Sequence, residues 1–276
     1  MKNWFFTHKS TEKGLNVKKV NIADYQSRWE YTKATSRWHF DPKVDEDLNP
    51  AYCLVGRFTS SFDEVIEQAL HLNTPTTMNN RLRTNEVPFT AQLEKYDMEK
   101  IGLSTDHVLF NEVRKDSYVG EWPLVIQQMI KFFGFKKLGL GVAIHVQYPG
   151  QVFPLHIDAF PFLKQNQEHH ILDEHPDQAA RFTIQFKNWE WGHIWGYGNT
   201  YWKQWQAGEI AFHSWRDLPH CTANAGLSPR VSAQVSGIVT DRTRLLIAQA
   251  KENLVLRKEL PQIDLSQIAI GTEETF

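Results

Sequence analysis

The sequence predicts a mainly β protein with flanking helices, because the spacing of its apolar residues changes twice along the chain. Before residue 137, apolar residues recur at helical spacing in several segments. From about 138 to 240, short runs rich in β-branched and aromatic residues alternate with Gly, Pro and Asn, which is typical of a β-sandwich or barrel. We therefore expect a helical or irregular N-terminal part (1–137) packed on the core, a β core (138–240), and a C-terminal helix and tail (241–276).

Three helices are predicted in the N-terminal part. The first begins at Ser61, which opens a capping-box pattern before an apolar helical face. The second covers Ala91–Ile101. The third begins near Glu121, has Pro123 in its first turn and stops at Gly134, since proline is favoured at a helix start and glycine just past its end.

Six strands are predicted in the core, and a further helix follows from Asp241. The strand candidates are Leu140–Tyr148, Val152–Phe160, Arg181–Phe186, His193–Tyr197, Glu209–His213 and Arg230–Thr240. Five tryptophans lie between Trp189 and Trp205. We favour a packed aromatic core for them, because large rings are most often used for burial. A role of this segment in shaping a substrate pocket stays open.

The overall composition excludes several classes of function. Thirty basic and 32 acidic residues give a net charge of −2, so neither a nucleic-acid-binding nor a membrane-binding surface is expected. Two cysteines, Cys53 and Cys221, are typical of a reduced intracellular protein. No apolar run is long enough for a signal peptide or a membrane span. A cytoplasmic location is the expectation.

A candidate metal site begins with the pair His156 and Asp158. Residues at i and i+2 of a strand share one face, so both side chains can bind one ion. Two histidines and one carboxylate form the facial triad of non-heme iron oxygenases, which leaves three positions open. The third ligand must come from another strand, and His193, His213 and His220 compete for it. We favour His220, which follows a predicted strand and turn, and keep His213 in reserve.

A candidate anion site follows ten residues after His220, at Arg230 and Ser232. The two side chains share one strand face. A guanidinium matches a carboxylate in a bidentate manner, and the serine hydroxyl adds a donor. The pattern predicts a clamp for a carboxylate close to the metal.

The metal and anion motifs together resemble the iron(II)/2-oxoglutarate-dependent dioxygenase superfamily. Segment 147–158 is similar to the approach to this motif in prolyl hydroxylases, whereas 205–212 and 218–224 are similar to aspartyl/asparaginyl β-hydroxylases. The resemblance covers about 138–240. It implies a double-stranded β-helix, or jelly roll, for this region.

The resemblance also implies an activity. Iron(II) would be held by the three metal residues and 2-oxoglutarate by Arg230 and Ser232. With O2, the enzyme would hydroxylate an unactivated C–H bond of an amino acid or a peptidyl side chain, and 2-oxoglutarate would be decarboxylated to succinate. Tyr148 and Gln147 are equal candidates for a further contact with the co-substrate. Arg181 either contacts substrate or co-substrate, or forms a structural ion pair.

Two alternatives of other classes remain open at this point. A non-catalytic jelly-roll binding module would have the same fold, but it has no need of a complete triad and clamp. A zinc hydrolase on a similar triad would need a general base and has no use for the arginine and serine of the anion site.

Overall fold

The protein is described by a computed structural model. It covers residues 51–77, 107–117, 120–137, 140–156, 158, 176–198, 200–215, 218, 220–256 and 259–271.

Strands dominate the described part of the chain. The strands are β1 (Cys53–Phe58), β2 (Thr74–Thr77), β3 (Val108–Val113), β4 (Gly141–Gln147), β5 (Val152–His156), β6 (Ala179–Gln185), β7 (His193–Tyr197), β8 (Thr200–Trp202), β9 (Glu209–Phe212), β10 (His220–Asn224), β11 (Arg230–Ile238) and β12 (Gln262–Ile263). The helices are α1 (Asp63–Leu72), α2 (Leu124–Phe133) and α3 (Asp241–Val255). None of these helices combines the length and the hydropathy that crossing a membrane would require.

The strands form two sheets that face each other. The larger sheet has the order β12-β1-β9-β6-β11-β4-β3-β2, and the smaller has the order β5-β10-β7-β8. From β4 to β11 the chain alternates between the sheets, with the β7–β8 hairpin as one step, and neighbouring strands of this region pair in antiparallel fashion. This winding is that of a double-stranded β-helix. The predicted mainly β jelly roll with flanking helices is therefore confirmed.

Helices cover the outer face of the larger sheet. Buried residues of all three helices pack against alternate residues of the central strands, including Val231, Ala233 and Val235 of β11. Because side chains alternate along a strand, Arg230 and Ser232 of the same strand face the smaller sheet. The helix layer thus determines which residues line the interior between the sheets.

Aromatic rings fill part of that interior. Trp195, Tyr197, Trp202 and Trp205 form a buried cluster with Ala211 and Leu218. Neighbouring rings meet in tilted or edge-on contacts, such as Trp195 with Trp202 at 6.0 Å between centroids. The tryptophan-rich segment therefore builds core, as expected, although Trp191 is 84% exposed.

Three of the predicted helices are confirmed with small shifts. The first starts at Asp63, with Phe62 at the N-cap and no side-chain cap hydrogen bond, so the predicted capping box at Ser61 is absent. Ser61 Oγ instead accepts from the Asp63 backbone N–H at 3.2 Å. Pro123 precedes α2, and Gly134 ends it in the left-handed region with φ 64°. The C-terminal helix begins at Asp241 as predicted. The helix predicted over 91–101 lies outside the described residues.

One part of the fold prediction is corrected. The N-terminal part also contributes β1, β2 and β3, which extend the larger sheet at both ends. Both β1 and β3 are buried on both faces, so they lack the period-two alternation that reveals a half-exposed strand. The short strands β8 and β12 were not predicted either. Strand β8 forms by pairing with β7 in a hairpin, and β12 forms by pairing with β1, which is distant in sequence.

Candidate active site

The three predicted metal residues come together at one end of the smaller sheet. Strand β5 ends at His156, Asp158 follows it, and β10 begins at His220. His156 and His220 are direct partners in the antiparallel register of β5 and β10. One potential ligand atom from each of the three side chains lies within 4.8 Å of the others, and all three residues are buried. Strand pairing thus joins positions that are 64 residues apart.

The unpaired atoms of this group fit a cation. Within the described structure, Asp158 Oδ2 and His220 Nε2 have no hydrogen-bond partner, and they lie 3.7 Å apart. Buried polar atoms nearly always have a partner, so such a pair indicates a ligand. Two imidazoles and one carboxylate are a donor set that suits iron(II). The residues present therefore fit the implied metal.

Arg181 determines which carboxylate oxygen is available. Its Nη1 donates to Asp158 Oδ1, and its Nε donates to Ser236 Oγ at 2.8 Å. With Oδ1 engaged, Asp158 can offer only Oδ2 to an ion. Of the two roles left open for Arg181, the structure contains the ion pair.

The charges around Asp158 keep it ionised. Burial by itself raises the pKa of this carboxyl, but Arg181 and the three surrounding histidines together hold the pKa below its usual range. Burial lowers the pKa of His220, although Asp158 opposes the shift. An ionised carboxylate is the protonation state that metal binding requires of Asp158.

The predicted anion site lies deeper between the sheets. Arg230 is only 3% exposed, and the face of its guanidinium covers the Trp195 ring at 4.6 Å. Its Nη2 donates to Gln147 Oε1 at 2.6 Å, whereas Nε and Nη1 have no partner among the described residues. Burial without a carboxylate partner lowers the pKa of Arg230 to about 9. A buried guanidinium with free donors is suited to an anion.

Other polar atoms face the same space. Ser232 Oγ and both amide atoms of Gln185 are buried, and the described structure offers none of them a hydrogen bond. Ser232 and Gln185 are direct register partners on β11 and β6. Gln185 was not predicted as a site residue, although polar residues at every second position of β6 (Arg181, Thr183 and Gln185) indicate a polar inner face.

Contacts between aromatic side chains connect the metal group to the anion site. The Tyr197 ring lies 6.2 Å from the His220 ring and 6.2 Å from the Trp195 ring, which in turn stacks on Arg230. Tyr197 and Trp195 were not predicted as site residues. Their positions two residues apart on β7 indicate that both side chains point to the same face of the sheet. The sequence alone, however, does not distinguish an aromatic ring of the core from one that lines a pocket.

The structure separates the two candidates on β4. Gln147 faces inward and opposes Arg230 in the β4–β11 register. Tyr148 packs instead against the helix-side cluster, and its hydroxyl accepts from Asn73 Nδ2 at 3.1 Å. Successive side chains point to opposite faces, so both residues cannot reach the interior. Tyr148 is not brought to the site.

The two competing histidines lie at different distances from the metal group. His193 belongs to the far end of β7, where its Nε2 contacts the Ser228 carbonyl oxygen at 3.2 Å. His213 directly follows β9, and its Nε2 lies 3.9 Å from Asp158 Oδ2. Burial lowers the pKa of His213 well below its usual value, and the neighbouring His220 adds to the shift. His213 is therefore part of the site's surroundings, whereas His193 is not.

Comparisons with known proteins give only weak similarities. No protein-family model matches the sequence, and no curated protein matches it. The chain is similar to SnoN, described as a non-heme alpha ketoglutarate dependent epimerase from nogalamycin biosynthesis, with 12% identity over 71% of this chain and 83% of that one and a TM-score of 0.41. It is also similar to a Klebsiella pneumoniae protein with a double-stranded beta-helix domain (18% identity, 38% and 72% covered, TM-score 0.25) and to a Cupin 2 conserved barrel domain protein from Salinispora arenicola (9%, 51% and 84%, 0.27). Similarity at this level says nothing about activity.

Proposed function

We propose that the protein is an iron(II)- and 2-oxoglutarate-dependent oxygenase that hydroxylates an unactivated C–H bond. One observation carries the proposal: a buried group of two histidines and a carboxylate shares the interior with a buried arginine, whose Nε and Nη1 have no partner among the described residues. A protein that only has to fold needs neither the buried histidine–carboxylate group nor a buried arginine with unpaired donors. A metal and a carboxylate-bearing co-substrate would account for both.

The three metal residues would bind one side of the ion. His156, Asp158 and His220 supply three ligands, which leaves three positions for small molecules. Bound iron(II) supplies the oxygen chemistry, driven by the oxidative decarboxylation of 2-oxoglutarate to succinate. Arg181 would hold Asp158 in a single orientation, so that only Oδ2 binds the ion. This arrangement keeps the remaining positions open.

The residues of the anion site would orient the co-substrate. Arg230 has free donors at Nε and Nη1 that would bind the distal carboxylate of 2-oxoglutarate, and Ser232 Oγ adds a further donor. Trp195 and Tyr197 exclude water beside this contact, which strengthens it. A dianion held at one end by Arg230 would reach the ion with its other end.

The substrate in this proposal is an amino acid or a peptidyl side chain, acted on in the cytoplasm. Support for this class is the resemblance of segments 205–212 and 218–224 to β-hydroxylases. No nucleic acid or membrane takes part, which agrees with the net charge of −2.

The proposal is tested by an anaerobic titration of the iron(II)-loaded protein with 2-oxoglutarate. We expect a metal-to-ligand charge-transfer band in the wild type and no band in His156→Ala. Arg230→Ala should form the band only at a higher co-substrate concentration. Admission of air should then produce succinate in the wild type, slowly when substrate is absent.

The matched control is His193→Ala, which removes a buried histidine that is not part of the metal group and should leave the band unchanged. Iron(II) binding without any effect of 2-oxoglutarate would contradict the proposal. Tight zinc binding together with hydrolytic activity would favour the hydrolase, and failure to bind any metal would favour the binding module.

A further inference from the structure

A fourth imidazole lies against the metal group. His213 is 1% exposed, and its Nε2 lies 3.9 Å from Asp158 Oδ2, close to the 3.7 Å that separates His220 Nε2 from the same oxygen. Its ring meets the His220 ring edge-on at 4.7 Å and the Tyr197 ring at 4.8 Å. The imidazole is therefore fixed from two sides, with Nε2 directed at the oxygen that would bind the ion.

The ring nitrogens of His213 have no hydrogen bond in the described part of the chain. His193, which is also buried, contacts the Ser228 carbonyl oxygen through Nε2. An imidazole left without a partner in a dry interior is unfavourable. Something bound at the metal group would supply the missing partner.

We propose that His213 is a further active-site residue that donates a hydrogen bond from Nε2 to a metal-bound oxygen of the co-substrate. This inference rests on the proposed function. Because Arg181 engages Asp158 Oδ1, Oδ2 is the oxygen that Asp158 would offer to an ion. His213 Nε2 lies 3.9 Å from this oxygen. The imidazole would therefore stand beside a co-substrate bound at the same group.

His213 is not a fourth protein ligand in this proposal. Three protein ligands, a 2-oxo acid bound through two oxygens, and O2 together fill six positions. A fourth imidazole would leave too few positions for the reaction. As a hydrogen-bond donor, His213 would instead stabilise the end of the co-substrate that lies near the ion. Arg230 would hold the opposite end.

The test compares His213→Ala and His213→Gln with the wild type and with His193→Gln as the matched control. Cobalt(II) binding, followed by its visible spectrum, reports on the metal ligands. The anaerobic titration of the iron(II) form with 2-oxoglutarate reports on the co-substrate. Thermal unfolding of the metal-free proteins shows whether each variant is folded. If His213→Ala is unfolded, the binding measurements are made on His213→Gln alone.

We expect His213→Ala to bind cobalt(II) within about threefold of the wild type and 2-oxoglutarate about ten- to hundredfold more weakly. The amide of His213→Gln should restore part of the affinity, and the control should change nothing. Loss of cobalt(II) binding as severe as in His156→Ala would make His213 a ligand and overturn the inference. Unchanged 2-oxoglutarate affinity would also overturn it. If the wild type binds no metal, the proposed function itself fails, which is a distinct result.

Discussion

Gln147 fixes the orientation of Arg230. Its Oε1 accepts from Arg230 Nη2 at 2.6 Å, while its Nε2 lies 3.2 Å from the Leu109 carbonyl oxygen and 3.3 Å from both oxygens of Thr222. The amide is thereby held by β3 and β10. Gln147 thus acts through Arg230 by holding the guanidinium in one orientation, in which Nε and Nη1 have no partner among the described residues.

Replacing this amide should weaken co-substrate binding without removing the charge that binds it. We expect Gln147→Met to lower the affinity for 2-oxoglutarate about tenfold, because the guanidinium loses the partner that orients it. Calorimetric titration of the metal-loaded protein measures the change. Tyr148→Phe is the control one residue away, and it should leave the affinity unchanged because that hydroxyl lies on the helix side.

Arg230→Lys should be a poor replacement despite its equal charge. A lysine ammonium cannot offer two parallel donors or lie flat on Trp195. We expect the affinity for 2-oxoglutarate to fall at least tenfold, since one charge-assisted hydrogen bond contributes about 1.5–3 kcal/mol. The same titration measures it, and wild-type affinity in the lysine variant would show that the fork geometry is irrelevant.

The Arg181–Asp158 pair should make the stability of the metal-free protein depend on pH. The pKa of Asp158 is lowered in the folded state from about 3.9 in the unfolded chain. Its contribution to stability is therefore present above about pH 4 and is lost as the pH falls through the lower folded value. At pH 7, Arg181→Met should cost about 3–5 kcal/mol, because it leaves a buried carboxylate unpaired.

The difference between Arg181→Met and the wild type should shrink at low pH, as the carboxyl becomes protonated. Denaturant unfolding at pH 7 and at successively lower pH measures this trend. The control is Arg244→Met, which removes an exposed ion pair with Asp177 and should cost at most about 1 kcal/mol. A loss for Arg181→Met that is equal at every pH would mean that packing, not charge, is responsible.

Two tryptophans of one segment should differ sharply in their contribution to stability. Trp202 is 2% exposed within the interior cluster, so Trp202→Ala should lower the free energy of unfolding by about 3–5 kcal/mol. Trp191 is mostly exposed, and Trp191→Ala should change it by less than about 0.5 kcal/mol. Denaturant unfolding of both variants checks the contrast, and equal losses would contradict the packing described here.

The sequence by itself determined the local periodicities. Period-two spacing put His156 and Asp158, and likewise Arg230 and Ser232, on common faces, and helical spacing located α1, α2 and α3. Proline before α2 and glycine after it set the ends of that helix. These features depend only on neighbours along the chain, so a single sequence contains them.

Only the tertiary structure decided which faces meet. The pairing of β5 with β10 brings His156 to His220, and the pairing of β4 with β11 puts Gln147, not Tyr148, beside Arg230. The partner of Arg181 and the position of His213 beside Asp158 also depend on contacts between strands that are distant in sequence. Spacing along a chain specifies the face of a residue, whereas register and sheet order specify its neighbour, and these arise only when the whole core packs.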